Sequence, residues 1–301
     1  MRKIFAALSA FIICLSQMGQ LVYAQESLKI VTSFYPMYAL TEAVVGDKQE
    51  VLMINSGKGI HDFEPSAGDV AAIYDADLFV FHSTILESWT KNLAENKGQS
   101  QVILLEAGKD LEMLKVPGLS GITPIEGQDT SNLYDPHSWL DPRLAAQEAQ
   151  AIADQVSALD PDNKDYYQAN AKAFSDQANA LYEKYLPIFQ AKSNKTFVTQ
   201  HTAFYYLAEA FGLNQFGIAG ISSEQEPSAK QLNDVIQYVT QAGVDTLFVE
   251  PNVSDKIVQV IADAAGVEVV NLSPLESDPG NDLDFLANYQ AILETLDAAM
   301  K

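Results

Sequence analysis

Residues 160–192 read "DPDNKDYYQANAKAFSDQANALYEKYLPIFQAK", and this stretch determines how the chain is organised. It begins with Asp160 and Pro161, a helix start, and Pro187 lies near its end. Between them, apolar and aromatic residues recur at helical spacing over most of the length. The pattern predicts one long helix, and because strand-like segments lie on both sides of it, we expect this helix to join two lobes.

The flanking regions contain short segments that are typical of buried strands. They read "LKIVTSF", "VLMIN", "DLFVF" and "QVILLEA" before the helix, and "TFVTQ", "TLFVE" and "VEVVNL" after it. Helical patterns alternate with them, as in parallel sheets flanked by helices. We therefore predict an α/β fold with an N-terminal lobe at residues 25–159, the linking helix at 160–192 and a C-terminal lobe at 193–301.

Three helix starts are marked by capping residues. The pairs are Ser66 with Asp69, Ser228 with Gln231, and Asp141 with Pro142. The first two pairs have the spacing of a capping box or one close to it, and the third places a proline at the first helical position. These pairs predict where the preceding loops end.

The N-terminus has the layout of a secretory signal peptide. Two basic residues precede an apolar run from Ile4 to Cys14, and "LVYA" ends at Ala24, so we predict cleavage after residues 1–24. The run is too short for a permanent membrane helix. The residues before Cys14 lack the small side chain that lipoprotein processing prefers, which disfavours a lipid anchor there. We expect a protein secreted across the cytoplasmic membrane, periplasmic or on the cell surface.

The charge balance excludes some classes of partner. The chain has 40 acidic residues against 18 Lys and Arg, a formal net charge of −22. Such a protein repels nucleic acid and anionic membranes and attracts cations. Solubility alone also explains a bulk charge of this sign. We therefore expect no nucleic-acid partner.

Three of the four histidines lie where α/β sheets place their ligands. His61, His137 and His201 are in predicted loops beside strand ends or helix starts, whereas His82 ends the apolar strand "DLFVFH" and is expected to have a structural or supporting role. A single loop histidine more often satisfies a backbone group than binds a metal.

Groups that could orient an imidazole lie beside each of the three loop histidines. They are Asp62 and Glu64, Asp135 and Asp141, and Thr199 and Thr202. A metal-binding imidazole normally donates its second N–H to such a group. Since the only cysteine lies in the predicted signal peptide, a fourth ligand would be a carboxylate. The residues alone leave a metal site and ordinary loop histidines equally open.

Several ordered blocks resemble one known family. The blocks include "HDFEPSAGD", "DPHSWLDP", "TQHTAFYYLAEAFGL", "GISSEQEPSAKQL" and "LSPLESDP", and together they cover nearly the whole chain after the signal peptide. The sequence is similar to the zinc and manganese solute-binding proteins of bacterial ABC transporters (cluster A-I), which include laminin-binding zinc lipoproteins. The resemblance implies two lobes joined by one rigid helix, with the metal in the cleft between them.

The resemblance also implies a ligand set. It assigns His61, His137 and His201 as metal ligands, with Glu276 of "SPLE" as the fourth and Asp278 or water as alternatives. Manganese-type members have glutamate at the third position, so His201 favours Zn(II).

The function that follows is transport and not catalysis. The resemblance implies an extracytoplasmic monomer that captures Zn(II) and delivers it to a permease with a cytoplasmic ATPase. A component for manganese or another divalent metal, and a metal-dependent adhesin for a host extracellular matrix protein, are the alternatives. A zinc hydrolase would need an open coordination position, which four protein ligands would close. Many zinc members of the family carry a histidine-rich loop between the first two ligands, but residues 108–136 contain no histidine, so one dominant site is expected.

Overall fold

The computed structural model describes residues 27–55, 57, 59–61, 63–115, 134–219, 229–251 and 253–301, apart from the side chain of Gln231. The predicted signal peptide at 1–24, with Cys14, lies outside the described residues, and so do Asp62 and the predicted cap Ser228. Within the described ranges, no helix is both long enough and apolar enough to cross a membrane.

The first lobe is built on a four-stranded parallel sheet. Its strands are β1 (Lys29–Thr32), β2 (Glu50–Met53), β3 (Leu78–Phe81) and β4 (Ile103–Glu106), in the order β2-β1-β3-β4. Its helices are α1 (Tyr35–Val45), α2 (Ala67–Tyr74), α3 (Thr90–Glu95) and α4 (Pro142–Leu159). All four residues of β3 are buried, as expected for a central parallel strand that helices cover on both faces.

The second lobe repeats this arrangement. Its strands are β5 (Thr196–Thr199), β6 (Asn214–Gly217), β7 (Thr246–Val249) and β8 (Glu268–Asn271), in the order β6-β5-β7-β8. Its helices are α6 (Tyr205–Phe211), α7 (Ala229–Ala242), α8 (Lys256–Ala265) and α9 (Phe285–Ala299). Every pair of neighbouring strands is parallel. The predicted fold class, two lobes with parallel sheets flanked by helices, is confirmed.

The linking helix α5 spans Lys164–Gln190 and starts four residues later than the sequence pattern indicated, after a 3-10 turn at Pro161–Asn163. Its 27 residues give a length of about 40 Å. At its start, the Tyr167 hydroxyl donates to Asp160 Oδ2 at 2.6 Å, and near its end Phe189 packs against Phe211 of α6 with ring centroids 5.3 Å apart. The helix therefore contacts both lobes.

Two of the predicted helix starts are confirmed. Ser66 and Asp69 form a complete capping box at α2, in which each side chain accepts from the other residue's backbone N–H. Asp141 is the N-cap of α4, accepting from the Arg143 backbone N–H at 2.9 Å, and Pro142 occupies the first turn.

The larger hydrophobic core crosses the boundary between the lobes. Helix α9, although it comes from the end of the chain, contributes Phe285, Tyr289 and Leu293 to the same core as Trp139 and Tyr167. A smaller core lies on the other side of the second sheet, beneath α7 and α8. Because the lobes share apolar packing, we expect their relative movement to be small.

Candidate metal centre

The structure brings together one side chain from each of four loops. His61 follows β2, His137 precedes a 3-10 turn at Ser138–Leu140, His201 follows β5, and Glu276 follows β8. Each lobe thus contributes two of them, from the carboxyl-terminal edge of its sheet, where open α/β sheets place ligands. One potential ligand atom of each lies within 4.8 Å of all the others.

Glu276 Oε1 lies at the centre of this group. It is 3.0 Å from His137 Nε2, 3.2 Å from His201 Nε2 and 3.4 Å from His61 Nε2. His61 Nε2 and His137 Nε2 are 3.3 Å apart. Three imidazole nitrogens and a carboxylate oxygen therefore face a common point.

Burial differs among the four side chains. Those of His137 and His201 are 0% and 1% exposed and that of Glu276 is 8% exposed, whereas the His61 side chain is 15% exposed. Solvent therefore reaches the cluster from the side of His61.

Asp135 fixes the ring of His137. Its Oδ1 accepts from His137 Nδ1 at 2.5 Å and from the His137 backbone N–H at 2.8 Å. Its Oδ2 accepts from the Tyr205 backbone N–H at 3.2 Å. With Nδ1–H bound in this way, the neutral ring presents the lone pair of Nε2 to the cluster. Asp141, which the sequence also offered for this role, caps α4 and contacts Arg143 instead.

Glu250 orients His201, a role that was not predicted from the sequence. Glu250 Oε1 makes a short hydrogen bond with His201 Nδ1. The prediction that Thr199 and Thr202 would orient this ring was wrong, because Thr199 Oγ1 donates to the His201 carbonyl and Thr202 Oγ1 donates to the Ala219 carbonyl. The signal was present in "TLFVE", where an acid directly follows a strand that pairs with β5.

The other candidate acids stand apart from the cluster. Asp278, the alternative fourth ligand, is exposed and accepts from the Gly280 backbone N–H at 2.8 Å, as a turn residue does. Glu64 is exposed and makes no hydrogen bond to His61 among the described residues.

The loop that carries Glu276 is fastened to the loop that carries His137. Trp139 Nε1 donates to the Pro274 carbonyl at 2.9 Å, and both residues are buried. Between Pro274 and Glu276, Leu275 has a φ of 57°, in the left-handed region that branched residues seldom adopt. This conformation sets the direction of the Glu276 side chain, and the Trp139 hydrogen bond holds the loop in place across the two lobes.

His82 has a supporting role next to the cluster, as the sequence suggested. Its Nε2 lies 2.7 Å from Ser138 Oγ, which in turn donates to Glu148 Oε1 at 2.6 Å. All three residues are buried, and Ser138 directly follows His137. The network anchors the turn that holds His137.

The charges in the cluster are strongly coupled. Burial disfavours the charged form of His201, but the Glu250 and Glu276 carboxylates outweigh burial and raise its pKa to about 10. Burial likewise opposes a charge on His137, and Asp135 and Glu276 raise its pKa above the usual value. For Glu276, burial is outweighed by the three histidines, which hold its pKa well below the usual range. Without a metal, protons neutralise this site.

Known proteins similar to this chain are zinc-uptake components. A family model described as "ZnuA: Zinc-uptake complex component A periplasmic" matches residues 30–299. The high-affinity zinc uptake system protein ZnuA of Bacillus subtilis is 36% identical over 276 residues, which are 91% of this chain and 86% of that protein. The chain spans only 61% of the zinc-binding lipoprotein AdcA of Streptococcus pneumoniae, with 35% identity.

Several solved structures with the same fold are more similar in sequence. A mutant of the laminin-binding adhesin Lmb from Streptococcus agalactiae is 49% identical with a TM-score of 0.84, over 91% of this chain and all of that chain. A Zn(II)-bound mutant variant of AdcAII from Streptococcus pneumoniae is also 49% identical with a TM-score of 0.84, over 92% of this chain and 99% of that one. The chain therefore belongs to the family of periplasmic zinc-uptake complex component A proteins, which are solute-binding components of ABC transporters and not enzymes.

Proposed function

We propose that this protein captures Zn²⁺ outside the cytoplasmic membrane through His61, His137, His201 and Glu276, and delivers it to an ABC permease. The observation that carries the proposal is the spacing of the four ligand atoms. Atoms placed about 2.0–2.1 Å from a tetrahedral zinc ion lie about 3.3 Å from one another. Of the six distances that join the four ligand atoms, the four given above run from 3.0 to 3.4 Å, and all six are within 4.8 Å.

The donor set favours zinc over manganese. Three imidazoles and one carboxylate suit tetrahedral Zn²⁺, whereas Mn²⁺ prefers more oxygen ligands and a higher coordination number. Cu²⁺ would bind such donors more tightly on intrinsic grounds, so selection in the cell also depends on which metal is available. Four protein ligands leave no open position for a reacting water, which suits a carrier.

Capture needs neutral imidazoles, and Asp135 and Glu250 supply the required orientation. Each holds the Nδ1 side of a buried histidine, so that Nε2 faces the metal. Zinc would enter from the side of His61 and join the carboxyl edges of both sheets, displacing the protons that the metal-free cluster holds. Since the lobes share a core and are linked by α5, release is expected to need only a small opening.

The location and organisation of the chain complete the proposal. Members of the family work outside the cytoplasm. We infer that residues 1–24 are removed on export without acylation at Cys14. Residues 25–159 and 193–301 then act as the two lobes of a monomer, with 160–192 between them.

Metal analysis of the purified chain tests the ligand set. After reconstitution with equimolar zinc and manganese, one zinc per chain is expected. X-ray absorption at the zinc edge should give four N or O neighbours at about 2.0–2.1 Å. His61→Ala and Glu276→Ala, one from each lobe, should lose the metal on dialysis against a weak chelator.

Asp278→Asn is the matched control, because Asp278 lies in the same loop as Glu276 and outside the cluster. It should keep its zinc. Full retention of zinc by Glu276→Ala, or preferential loading with manganese, would contradict the proposal. Delivery is tested by zinc-limited growth of a strain that lacks this chain, which the parent and Asp278→Asn should restore.

Adhesion is a second candidate function, favoured by one observation. Two similar proteins of known structure carry names that include laminin binding, the adhesin from Streptococcus agalactiae and a protein from Streptococcus pyogenes, at 49% and 47% identity. Surface binding of zinc-loaded protein to immobilised laminin tests this, with zinc-free protein alongside. Absence of binding in both forms would remove the adhesin function and leave the transport proposal intact.

A further inference from the structure

A second cavity, of about 610 Å³, lies between α1, α5 and the segment that leads into α9. None of the four residues of the metal cluster lines it. Its volume falls within the range of about 300–1,000 Å³ that is usual for small-molecule sites. The zinc proposal gives this cavity no role.

Aromatic side chains form much of its wall. Tyr35 and Tyr38 come from α1, Phe174 from α5, and Phe285 from the start of α9. Tyr35, Phe174 and Phe285 belong to the larger core and are 5%, 6% and 2% exposed, so the wall is held rigidly by packing. Such a wall is ordered before a ligand binds, and the partly exposed ring of Tyr38 is the one most open to it.

Three carboxylates and three side-chain amides supply most of the polar lining. Asp278 and Asp284 each have an oxygen engaged by a nearby backbone N–H, from Gly280 and Ala287. Glu42 differs, because its half-buried carboxylate makes no hydrogen bond or ion pair with any described residue. No lysine or arginine is among the described residues that line the cavity. A carboxylate that is partly desolvated and has no protein partner is available to pair with a charged donor from a ligand.

We propose that this cavity binds an organic cation, an ammonium or guanidinium group on an apolar stem. The carboxylate of Glu42 would pair with the charge, and the rings of Tyr38 and Phe174 would contact the stem or the cation's face. An anion would meet three carboxylates and no basic side chain among the described lining residues, and the net charge of −22 would repel it. A bare metal ion is disfavoured because, in the described part of the chain, the only group of acids and histidines close enough to hold a metal is the cluster around Glu276.

Calorimetric titration of the full zinc-loaded protein tests the proposal. N-acetyl-arginine amide is the probe, and N-acetyl-citrulline amide is its neutral counterpart of nearly equal shape. We expect the arginine compound to bind at one site per chain, at least about tenfold more tightly than the citrulline compound. The proposal would be overturned if the arginine and citrulline compounds bound equally tightly, or if neither the arginine compound nor putrescine bound. If putrescine bound more tightly than the arginine compound, the ligands of the site would be free amines. If the arginine compound bound more tightly, the ligands would be basic side chains.

Two variants separate this cavity from the rest of the molecule. Glu42→Gln keeps the side chain's shape and should weaken binding of the preferred probe about tenfold, while Asp263→Asn, an exposed acid on α8, should leave it unchanged. Zinc content and melting temperature should match the parent in both variants, so failure here is distinguishable from failure of the zinc site. Parental affinity in Glu42→Gln would overturn the proposal.

Discussion

The two lobes hold their buried histidines in different ways. His137 has its carboxylate partner two residues away, at Asp135, inside a loop stiffened by prolines. His201 has its partner 49 residues away, at Glu250. The first arrangement is local in sequence, and the second exists only once the sheet has formed.

The second arrangement depends on strand register. Thr199 of β5 pairs with Phe248 of β7, and the Gln200 N–H donates to the Phe248 carbonyl at 2.8 Å, which brings the residues after both strands together. A slip of one residue would turn Glu250 to the other face of the sheet. The relative positions of His201 and Glu250 in the second lobe therefore depend on the register of β5 with β7.

Removal of a histidine from either lobe should have the largest effect. His137→Ala and His201→Ala should each lower zinc affinity by more than about 100-fold, since loss of even an outer partner costs 10–100-fold. Competition titration against a fluorescent chelator measures this, with circular dichroism to verify the fold. If one variant kept affinity within tenfold of the parent, the lobes would not share the metal as proposed.

The pH dependence should come next in size. In metal-free protein the pKa of His201 is about 10, so at pH 5.5 to 8.5 its ring holds a proton that zinc must displace. Affinity should rise about tenfold per pH unit for each proton displaced, over this whole range and not only near pH 6.5. Stability of the metal-free protein runs the opposite way: the ion pairs of His201 contribute fully below about pH 6.5 and are lost as pH rises towards 10.

Zinc titrations at pH 5.5, 7.0 and 8.5 check the affinity, and chemical denaturation of the metal-free protein at the same pH values checks the stability. A flat affinity between pH 7.0 and 8.5 would mean that zinc displaces no proton from the cluster. Calorimetry in buffers with different ionisation enthalpies counts the protons released for each zinc bound.

The two orienting carboxylates test the comparison directly. Glu250→Gln and Asp135→Asn should each weaken zinc binding by about 10–100-fold, because each replaces the carboxylate that accepts from a ligand ring with a neutral amide, which is a weaker acceptor. Asp135 also accepts from the backbone N–H groups of His137 and Tyr205, so its replacement should lower the melting temperature further than Glu250→Gln does. Equal loss of stability in both variants would show that the local arrangement does not hold the loop.

The sequence predicted what local pattern determines. The seven apolar strands, the long helix and the caps at Ser66 and Asp141 follow from periodicity and turn chemistry, and the structure has all of them. Strand β6 was missed because "NQFG" contains two amides and a glycine. It lies at the sheet edge, and its pairing with β5 holds it there.

In the metal site, too, the local contacts could be predicted from the sequence and the long-range ones could not. Asp135 could be predicted from its place beside His137, whereas Glu250 could not, because no local feature says which acid meets His201 after folding. The threonines next to His201 were a wrong choice for this reason: proximity in sequence was taken for proximity to the ring. The hydrogen bond of Trp139 to Pro274, across the lobes, was equally invisible.

That hydrogen bond offers a smaller test of how the lobes are coupled. Trp139→Phe keeps an aromatic ring but removes the Nε1 donor, which leaves the buried Pro274 carbonyl without it. We expect a loss of about 1–3 kcal/mol in the free energy of unfolding and a decrease in zinc affinity of severalfold, because the Glu276 loop is less well held. Chemical denaturation measures the first and competition titration the second. Tyr289→Phe, which removes the donor to the Leu140 carbonyl, is the control for a buried hydrogen bond that does not reach the Glu276 loop.

The smallest expected effect is at Asp278. It tests whether an acid that is close to Glu276 in sequence, but outside the cluster, contributes to zinc binding. Asp278 lies two residues from Glu276, in a loop of the family motif, yet its carboxylate is exposed and accepts from the Gly280 N–H. Asp278→Asn keeps an acceptor for that turn, so zinc affinity within about twofold of the parent and a melting temperature within a degree or two are expected. Competition titration beside Glu276→Gln makes the contrast. A tenfold loss in Asp278→Asn would mean that the second lobe can present either acid to the metal, and that its half of the site is less fixed than the register of β5 with β7 implies.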